Sequence, residues 1–454
     1  MKANRRLGCA VSVAFVAVFL LAGGSARADF TFAEASNLGP TVNGPNVQGG
    51  PHISRDGLEL YFYAWREDGL GRRDIWMVGR TTPGEPWGKP VNLGATVNTE
   101  VDEVFPDLSS DGLELYFASD CPGGSGQNDI WMARRATMGD PRQKAVNLGP
   151  PVNTSAGENQ ASLSDDGLAL YFASNRPGGH GGVDLWVTTR ATKQDPWTAP
   201  VNLDAPVNSP ARETTVHISS GDLLLFFTSD RPGGPGDLDL YMARRSSRDQ
   251  SWGEPVLLAP PVNSPFVDRG ACLNYDGSTL LLGSSRPGGV GSWDIWQVPI
   301  VPVVDLNGDG NVGIEDLKML VECWGQDAPA LDIAPPPFGD GTVDEKDVEV
   351  LMQHWGQEFH DPALIAHWKL DEAAGTTAAD SAAANNGMAM GNPIWQPAGG
   401  VMAGALLFDG ADDYVRTEPA LDPSSGPFSV FAWIKGGAPG QVVLSQKKRR
   451  VSTG

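Results

Sequence analysis

The stretch 163–187, LSDDGLALYFASNRPGGHGGVDLWV, decides the fold because it recurs five times along the chain. Near its end, an aspartate is followed two positions later by an aromatic residue. Successive copies of this pair lie 55 residues apart (184 − 129 = 55). The copies are Asp74 and Trp76, Asp129 and Trp131, Asp184 and Trp186, Asp239 and Tyr241, and Asp294 and Trp296. A fixed period of this length is typical of proteins in which each repeat forms one structural unit.

Within one repeat, apolar and polar residues alternate, which is the pattern of β-strands. In the third repeat this alternation predicts short strands near 160–163, 168–174, 183–189 and 200–203. Four strands per repeat is the content of one β-propeller blade. The sequence therefore predicts a mainly β chain in which 29–300 forms a five-bladed propeller.

Asp-Gly pairs predict tight hairpin turns, because glycine adopts the positive φ that such loops require. The fourth repeat inverts the order to Gly221-Asp222, so its turn should differ. The regular pairs begin at Asp56, Asp111, Asp166 and Asp276.

Pro-Gly-Gly segments predict a second turn in the second to fifth repeats, and we expect Asp184 and its equivalents to hold that turn by accepting backbone N–H bonds. A catalytic aspartate is the alternative. A residue repeated in every blade favours the scaffold role.

The N-terminal segment fits a gap in the last repeat. The fifth repeat stops after Trp296 without the fourth strand of the other repeats, whereas 32–38 has the phase of that strand, with Asn37 aligned to Asn92. We therefore expect the first strand of the mature chain to complete the last blade and close the ring, which removes open sheet edges.

The third repeat shows a Ser-x-Asp-Gly turn, an aromatic-rich strand, an Arg-Pro-Gly-Gly turn and an Asp-hydrophobic-aromatic strand in that order, and the other repeats keep most of these parts in the same phase. This order resembles the TolB-like (WD40-like) propeller repeats of exported bacterial proteins, over about 37–298. The resemblance implies the fold and a setting outside the cytoplasm. It does not select a function, because propellers host binding proteins as well as hydrolases and lyases.

Two rows of charged residues recur at fixed phases and are candidates for ligand binding. If both rows line one face, they would bind a polar or cationic ligand; alternatively, the rows pair with each other between neighbouring blades, which their repetition favours. The acidic row is Glu103, Glu158, Glu213 and Asp268, and the basic row includes Arg176, Arg231 and Arg286.

Residues that break the symmetry of the repeats are better pointers to a ligand: Trp65, His180 and Trp293. Neutral variation in solvated loops is the alternative explanation. His52 and His217 share a phase (217 − 52 = 165, three repeats), and we interpret them as packed or surface histidines.

After the repeats, 305–316 (DLNGDGNVGIED) matches a calcium-binding EF-hand loop. Hard oxygen donors fall at positions one, three, five, seven and twelve, with Gly310 at the sharp turn, and this spacing suits Ca²⁺. The predicted ligands are Asp305, Asn307, Asp309, Asn311 and Asp316. A helix is expected to follow over 317–324.

A second copy lies 31 residues on, with Asp347 following Asp316 and Trp355 following Trp324. The paired arrangement over 303–358 resembles a type I dockerin module, a small α-helical domain that docks onto a cohesin domain of another protein. The resemblance implies a second site at Asp340 and Asp347, with Asp332 as a substitute ligand, because Pro336 and Phe338 stand at positions one and three. Ile314-Glu315 and Glu345-Lys346 replace the familiar Ser-Thr recognition pair.

The C-terminal segment, 362–454, contains strand-like stretches at 364–372, 405–410 and 428–434. Their order resembles the opening strands of a laminin-G-like, concanavalin-type jelly roll. The segment is short for two packed sheets. We therefore expect an incomplete β-sandwich with unpaired edges.

At the N-terminus, 1–28 is predicted to be a secretory signal peptide cleaved after Ala28, because basic residues precede an apolar run and a small-x-small site. A membrane span is the alternative, but the run is short for a bilayer. Secretion, the cell surface and the periplasm stay open as destinations.

Removing four basic residues with the signal shifts the formal charge from −22 to −22 − 4 = −26. This acidity argues against nucleic acid and anionic membrane surfaces as partners. Cys121, Cys272 and Cys323 remain after cleavage, and buried free cysteines are favoured over a disulfide framework.

Taken together, these features predict an exported, non-catalytic binding or scaffold protein, with the propeller as an interaction surface and a Ca²⁺-loaded module as a tether to a cohesin-like partner, in a polysaccharide-related setting. One alternative is a carbohydrate-active enzyme or accessory subunit, in which case glycoside hydrolysis is the expected chemistry. Another is a structural cell-surface protein. Near-identical blades lack the unlike carboxylates that acid–base catalysis needs, which favours the first.

Overall fold

The structure is a computed structural model. It describes residues 11–16, 30–306, 311–326, 328, 331–334, 339, 342–357, 368, 370, 372–380, 386–397, 405–409, 412–417 and 431–435. Within these residues the chain is mainly β, with seven antiparallel sheets and two α-helices. It divides into two compact units, 30–301 and a second unit that joins 1–29 to 302–454.

The strands up to the end of the first repeat are short, and four of them form the first sheet in the order β4-β5-β6-β7. The bounds are β1 (Val11–Val16), β2 (Phe30–Phe32), β3 (Ser36–Asn37), β4 (Gln48–Ile53), β5 (Glu59–Ala64), β6 (Asp74–Gly79) and β7 (Val91–Asn92).

The next three repeats each form one four-stranded sheet of the same order. Their strands are β8 (Glu103–Leu108), β9 (Glu114–Ser119), β10 (Asp129–Arg134), β11 (Val146–Asn147), β12 (Glu158–Leu163), β13 (Ala169–Ser174), β14 (Asp184–Thr189), β15 (Val201–Asn202), β16 (Glu213–Ile218), β17 (Leu224–Ser229), β18 (Asp239–Arg244) and β19 (Val256–Leu257). The four strands predicted in the third repeat are confirmed.

The last repeat contributes β20 (Asp268–Leu273), β21 (Thr279–Ser284) and β22 (Asp294–Pro302). Both β2 and β3 join this sheet at β22, and Asn37 lies opposite Trp296. In the first sheet, Asn92 lies opposite Trp76 in the same way. The N-terminal segment thus occupies in the last sheet the place of the fourth strand.

The first strands of the five sheets contact one another in sequence: β4 with β8, β8 with β12, β12 with β16, β16 with β20, and β20 with β4. The arrangement of the five sheets is therefore propeller-like. Buried side chains fill the spaces between neighbouring sheets; Trp76 of the first sheet, for example, packs with Cys272, Leu281 and Ile295 of the last. Such shared apolar layers are the main source of stability in a repeat protein.

Turn chemistry follows the sequence closely. The glycines of the four Asp-Gly turns have positive φ, between 69° and 75°. In the fourth repeat a 3₁₀ turn over Ser220–Asp222 replaces the regular hairpin, and Asp222 itself has a φ of 62°. The predicted difference at the inverted pair is confirmed.

In the second unit, two nine-residue helices, α1 (Ile314–Glu322) and α2 (Glu345–Gln353), pack around a small apolar core. The 31-residue repeat relates the hydrogen bonds that follow the two helices. The N–H of Gly356, after α2, donates to the carbonyl of Val312, and the N–H of Gly325, after α1, donates to that of Val343, both at 2.8 Å.

The C-terminal segment forms two small sheets, in the orders β25-β26-β1-β28 and β23-β24-β27. Its strands are β23 (Thr377–Ala378), β24 (Gly387–Met390), β25 (Ile394–Gln396), β26 (Ala405–Phe408), β27 (Tyr414–Arg416) and β28 (Phe431–Lys435). Because β1 lies within the predicted signal peptide, cleavage after Ala28 would take it out of its sheet and unpair β26 and β28 along that side.

No helix among the described residues is long and apolar enough to cross a membrane.

Candidate functional site

The acidic and basic rows meet in ion pairs inside single sheets. Arg176 Nη2 lies 3.1 Å from Glu158 Oε1, Arg231 Nη2 lies 2.9 Å from Glu213 Oε1, and Arg286 Nη2 lies 2.6 Å from Asp268 Oδ1. The expectation of pairing between neighbouring blades is therefore wrong. The hairpin explains the result, since Glu158 lies directly opposite Ser174 in the sheet and the arginine follows two residues later.

These pairs are buried and fully engaged. The Glu158 side chain has no exposed surface, and it also accepts bonds from the backbone and hydroxyl of Thr154. Arg176 lies over the ring of Trp186 and donates to the Val152 carbonyl. A side chain held in this way supports the fold and is not free to bind a ligand.

Two repeats break this pattern in opposite ways. In the second, Cys121 stands at the arginine position, leaving buried Glu103 beside a cavity of about 40 Å³ that Lys144 also lines. Burial raises the pKa of Glu103 to about 7. In the first, Arg66 is present but Gln48 replaces the carboxylate, and its amide atoms have no hydrogen-bond partner among the described residues.

The aspartates of the Asp-aromatic pairs hold the turn before them, as predicted. Asp184 accepts the N–H groups of His180 and Gly181 at 2.7 and 3.0 Å. Asp74 does the same for Leu70 and Gly71 at 2.5 and 3.0 Å. These residues therefore have a structural role.

A ring of five residues of four different types is the most distinctive feature of the repeats. It occupies one position on each first strand, at steps of 55 residues, whereas the next position is always Ile or Leu. We call these the ring residues: His52, Asp107, Ser162, His217 and Cys272.

A β-bulge precedes the ring position on every first strand, as the register shifts between Gly49 and His52 and at the equivalent places show. At two of the bulges non-glycine residues have positive φ, Phe105 at 55° and Gln160 at 31°. Bulges re-aim side chains, and such backbone conformations persist where the surroundings impose them.

Four ring residues lie close together, with His52 at the centre of their contacts. His52 Nδ1 lies 3.0 Å from Asp107 Oδ1, and the two imidazole rings of His52 and His217 are 6.2 Å apart between centroids. The second oxygen of Asp107 accepts the N–H of Leu163 at 3.0 Å. Ligand atoms of His52, His217 and Cys272 all lie within 4.8 Å of one another.

Burial and neighbouring charges shift the pKa values of the two histidines in opposite directions. Burial lowers the pKa of His52, but Asp107 and Cys272 outweigh this effect and the pKa is raised to about 10. For His217, burial and the nearby charge of His52 together lower the pKa to about 4.

Three residues further along the chain, just past the end of each first strand, lies a second set of five, the rim residues. Arg55 lies over the ring of Tyr275, 4.0 Å from its centroid, and also donates to its hydroxyl. Ser220 Oγ donates to Asp165 Oδ2 at 2.7 Å. The rim residues are Arg55, Ser110, Asp165, Ser220 and Tyr275.

Four ring residues, all except Cys272, line a cavity of about 60 Å³ together with the rim residues, and we call this cavity the polar cleft. Its rim residues offer a guanidinium, a phenol, hydroxyls and the carboxylate of Asp165, and its ring residues offer two imidazoles and the buried carboxylate of Asp107. A concave site with a few convergent polar groups is a candidate ligand site.

The three symmetry-breaking residues lie outside this cleft. Trp65 is exposed, His180 Nε2 lies 3.0 Å from Asp204 Oδ1, and Trp293 is covered by Arg269 at 4.0 Å. Each has different neighbours, so the structure gives no common site for them.

At the calcium-type loops, the residues at position twelve are fully buried at the start of the two helices. Asp316 accepts the N–H of Leu306 at 2.8 Å and of Gly313 at 2.7 Å, which joins the two ends of the loop. Asp347 accepts from Ile333, Ala334 and Asp344 at 2.6 to 2.9 Å, and burial raises its pKa.

The remaining predicted ligands are described in part. Asp305, Asn311 and Asp332 are among the described residues, and Asp332 is buried. Asn307, Asp309 and Asp340 lie outside them. Through its bond to the N–H of Leu306, Asp316 holds the residue after Asp305 beside the last position of the loop. Carboxylate and amide oxygens of this kind are the donors that Ca²⁺ takes.

Sequence reasoning missed the ring and rim residues as a site. The signal was present: a column that changes chemistry from repeat to repeat, His, Asp, Ser, His and Cys, among columns that keep theirs. The equivalent positions of His52 and His217 in their repeats are part of this pattern.

No protein-family profile matches the chain, and no curated protein sequence matches it. Similar solved structures include TolB from Acinetobacter baumannii (13% identity, 56% of this chain, 54% of that chain, TM-score 0.35) and a putative TolB from Agrobacterium tumefaciens (15%, 57%, 79%, 0.36). An α-L-arabinofuranosidase from Lactobacillus brevis is a third (17%, 56%, 90%, 0.38). This chain spans about half the length of the Acinetobacter TolB. At these identities and TM-scores the likeness carries no information about ligand or chemistry.

Proposed function

We propose that the protein is an exported, non-catalytic binding protein whose region 30–301 is a closed five-bladed propeller with a ligand surface at the polar cleft. The observation behind this proposal is that the acidic row has no exposed surface and forms its bonds within single repeats. Its members are Glu103, Glu158, Glu213 and Asp268. The repeats therefore provide scaffold contacts, and the cleft provides the recognition.

Donors and acceptors at the cleft suit a hydroxyl-rich ligand such as a glycan. Arg55 and Tyr275 offer N–H and O–H donors, and Asp165 offers carboxylate oxygens. A glycan array with the purified chain tests this directly. We expect binding that Asp165→Asn and Arg55→Gln weaken, whereas Asp204→Asn, away from the cleft, leaves it unchanged. Equal binding by all three variants would refute the assignment of the surface.

A glycoside hydrolase is the second candidate, because two carboxylates, Asp107 and Asp165, line the cleft. Such enzymes hold their two carboxyl groups about 5–5.5 Å or about 6.5–9.5 Å apart, one acid and one base or nucleophile. Asp107 is already engaged by His52 and Leu163. A hydrolase screen on plant and algal polysaccharides decides: turnover abolished by Asp107→Asn or Asp165→Asn would establish the enzyme and overturn the non-catalytic proposal.

The helical pair over 303–358 would serve as a Ca²⁺-loaded tether. Its support is the oxygen-donor spacing together with Asp316, which joins the ends of the first loop. Calorimetric titration of the full chain with Ca²⁺ should show binding that Asp316→Ala removes. Glu315→Ala is the matched control, since Glu315 is adjacent but pairs on the surface with Lys318. Undiminished binding by Asp316→Ala would place the ion elsewhere.

The partner of this tether would be a cohesin-like domain, and the destination would be the exterior, the cell surface or the periplasm. Affinity capture with a panel of cohesin domains, with and without chelator, tests the partner. A mature N-terminus at Asp29 would establish export by cleavage after Ala28. Calcium-dependent self-association without cohesin binding would instead favour a structural cell-surface role.

A further inference from the structure

Three of the ring residues carry side chains that bind transition metals. Imidazole nitrogen and thiolate sulfur are the preferred ligands of Zn²⁺, whereas Ca²⁺ takes oxygen. His217 and Cys272 are buried and His52 is 13% exposed. These side chains come from three different sheets, so the fold itself assembles them from positions up to 220 residues apart (272 − 52 = 220).

Both histidines have a further hydrogen-bond partner of the kind that orients metal ligands. His52 Nδ1 lies 3.0 Å from Asp107 Oδ1, so Nε2 is the ring nitrogen that stays available for a metal ion. His217 has a backbone hydrogen bond at Leu273. A metal-binding histidine ordinarily gives its second ring nitrogen to a carboxylate or a backbone carbonyl, which fixes the tautomer and the ring orientation.

The spacing of the ligand atoms is close to what an ion requires. They lie within 4.8 Å of one another. Bonds of about 2.0–2.3 Å in a tetrahedral site correspond to separations of about 3.3–3.7 Å between ligand atoms. Closing this difference takes roughly an ångström of side-chain movement.

We propose that His52, His217 and Cys272 bind a Zn²⁺-class divalent ion at the polar cleft, with Asp107 as the residue that orients His52. Both histidines line the cleft, and Cys272 lies within reach of them on the neighbouring first strand. Three protein ligands leave a fourth coordination position, which suits a water molecule or an oxygen atom of a ligand entering past Arg55 and Tyr275. This site is separate from the calcium-type loops in ligand chemistry and in sequence, and it does not depend on the proposed binding function.

Titration of the chelator-treated full chain with Zn²⁺ and with Co²⁺ tests the site, in saturating Ca²⁺ so that the oxygen-donor loops are occupied. We expect one Zn²⁺ per chain and, with Co²⁺, a thiolate-to-metal charge-transfer band. Cys272→Ser should abolish that band, and His217→Gln should weaken Zn²⁺ binding by at least about a hundredfold. Asp107→Asn should weaken it by about ten- to a hundredfold, as loss of an orienting partner does.

Two matched controls come from the same region. Ser162→Ala removes a ring residue that is not a proposed ligand, and Cys121→Ser removes a cysteine outside the ring; both should keep the affinity and the band. If Cys272→Ser does not fold, alkylation of the unaltered chain in partly denaturing urea, where buried Cys272 becomes accessible, replaces it: Zn²⁺ should slow the alkylation of Cys272 and leave the rate at Cys121 unchanged. Absence of a stoichiometric ion, a band that survives Cys272→Ser, or a rate at Cys272 that Zn²⁺ does not change would overturn the proposal.

Discussion

Arg176 and Glu158 form a buried ion pair, 3.1 Å between Nη2 and Oε1, that ties the start of one strand to the turn after the next. The same pair recurs at Arg231 and Glu213, and at Arg286 and Asp268. Its repetition provides an internal standard against which the two exceptional repeats can be compared.

Replacing Arg176 by methionine should destabilise the protein strongly, by about 3–5 kcal/mol, because Glu158 would remain buried without its counter-charge. Arg212→Met is the control, since Arg212 pairs with Asp230 at the surface and should contribute about 1 kcal/mol or less. Denaturant unfolding of both variants gives the free energies. Similar losses in the two variants would show that burial does not set the strength of the repeated pair.

Placing an arginine in the second repeat should stabilise the protein. Cys121→Arg would put a guanidinium into the cavity beside Glu103, between Phe117 and Trp131, as Arg176 lies over Phe172 and Trp186. A charged hydrogen bond to a buried carboxylate corresponds to a gain of about 1.5–3 kcal/mol.

Cys121→Ser serves as the control for that substitution, because it removes the thiol and adds no charge. A gain that persists when Glu103 is also changed to glutamine would exclude the ion pair as its source.

Glu103 should also make stability depend on pH. Its pKa is raised by burial from 4.5 to about 7, so the folded state holds a proton that the unfolded state releases between these values. Stability should therefore fall as pH rises from about 4.5 to about 7, by an amount on the order of 3 kcal/mol. The difference in unfolding free energy between the parent and Glu103→Gln, measured across this range, isolates the effect. A difference that does not change with pH would show that Glu103 ionises normally.

Much of the fold could be predicted because it depends on local chemistry. The alternation of apolar and polar residues predicts the strands, and the Asp-Gly pairs predict turns in which glycine has a positive φ. For Glu158 and Arg176, the repetition favours pairing between neighbouring blades, whereas their 18-residue separation spans one hairpin within a blade (176 − 158 = 18). Hairpin register would have placed the two residues together.

The ring residues could not be predicted from local pattern. His52 and His217 meet only because five sheets bring their first strands together, and each bulge sets which side chain points at its neighbours. The 55-residue period shows which residues are equivalent between repeats. It does not show which position of a repeat lies nearest the other sheets. Contact between equivalent residues therefore required the assembled structure.

Closure of the ring can be tested at Asn43. Its side chain accepts the N–H of Ile295 at 2.8 Å and donates to the carbonyl of the same residue at 3.0 Å. Asn153 makes the same two bonds to Ile130, but within a continuous stretch of chain. Replacing either asparagine by alanine removes two buried hydrogen bonds and should cost about 1–3 kcal/mol.

Only the Asn43→Ala variant loosens the contact between the two ends of 30–301, which are 252 residues apart at this bond. We therefore expect hydrogen exchange to quicken in β3 and β22 with Asn43→Ala, whereas Asn153→Ala affects β10 and the loop after it. Exchange measured by mass spectrometry resolves these segments. If β22 exchanges equally in both variants, the N-terminal strand does not hold the ring together, because local opening at β22 would then be independent of its bonds to Asn43.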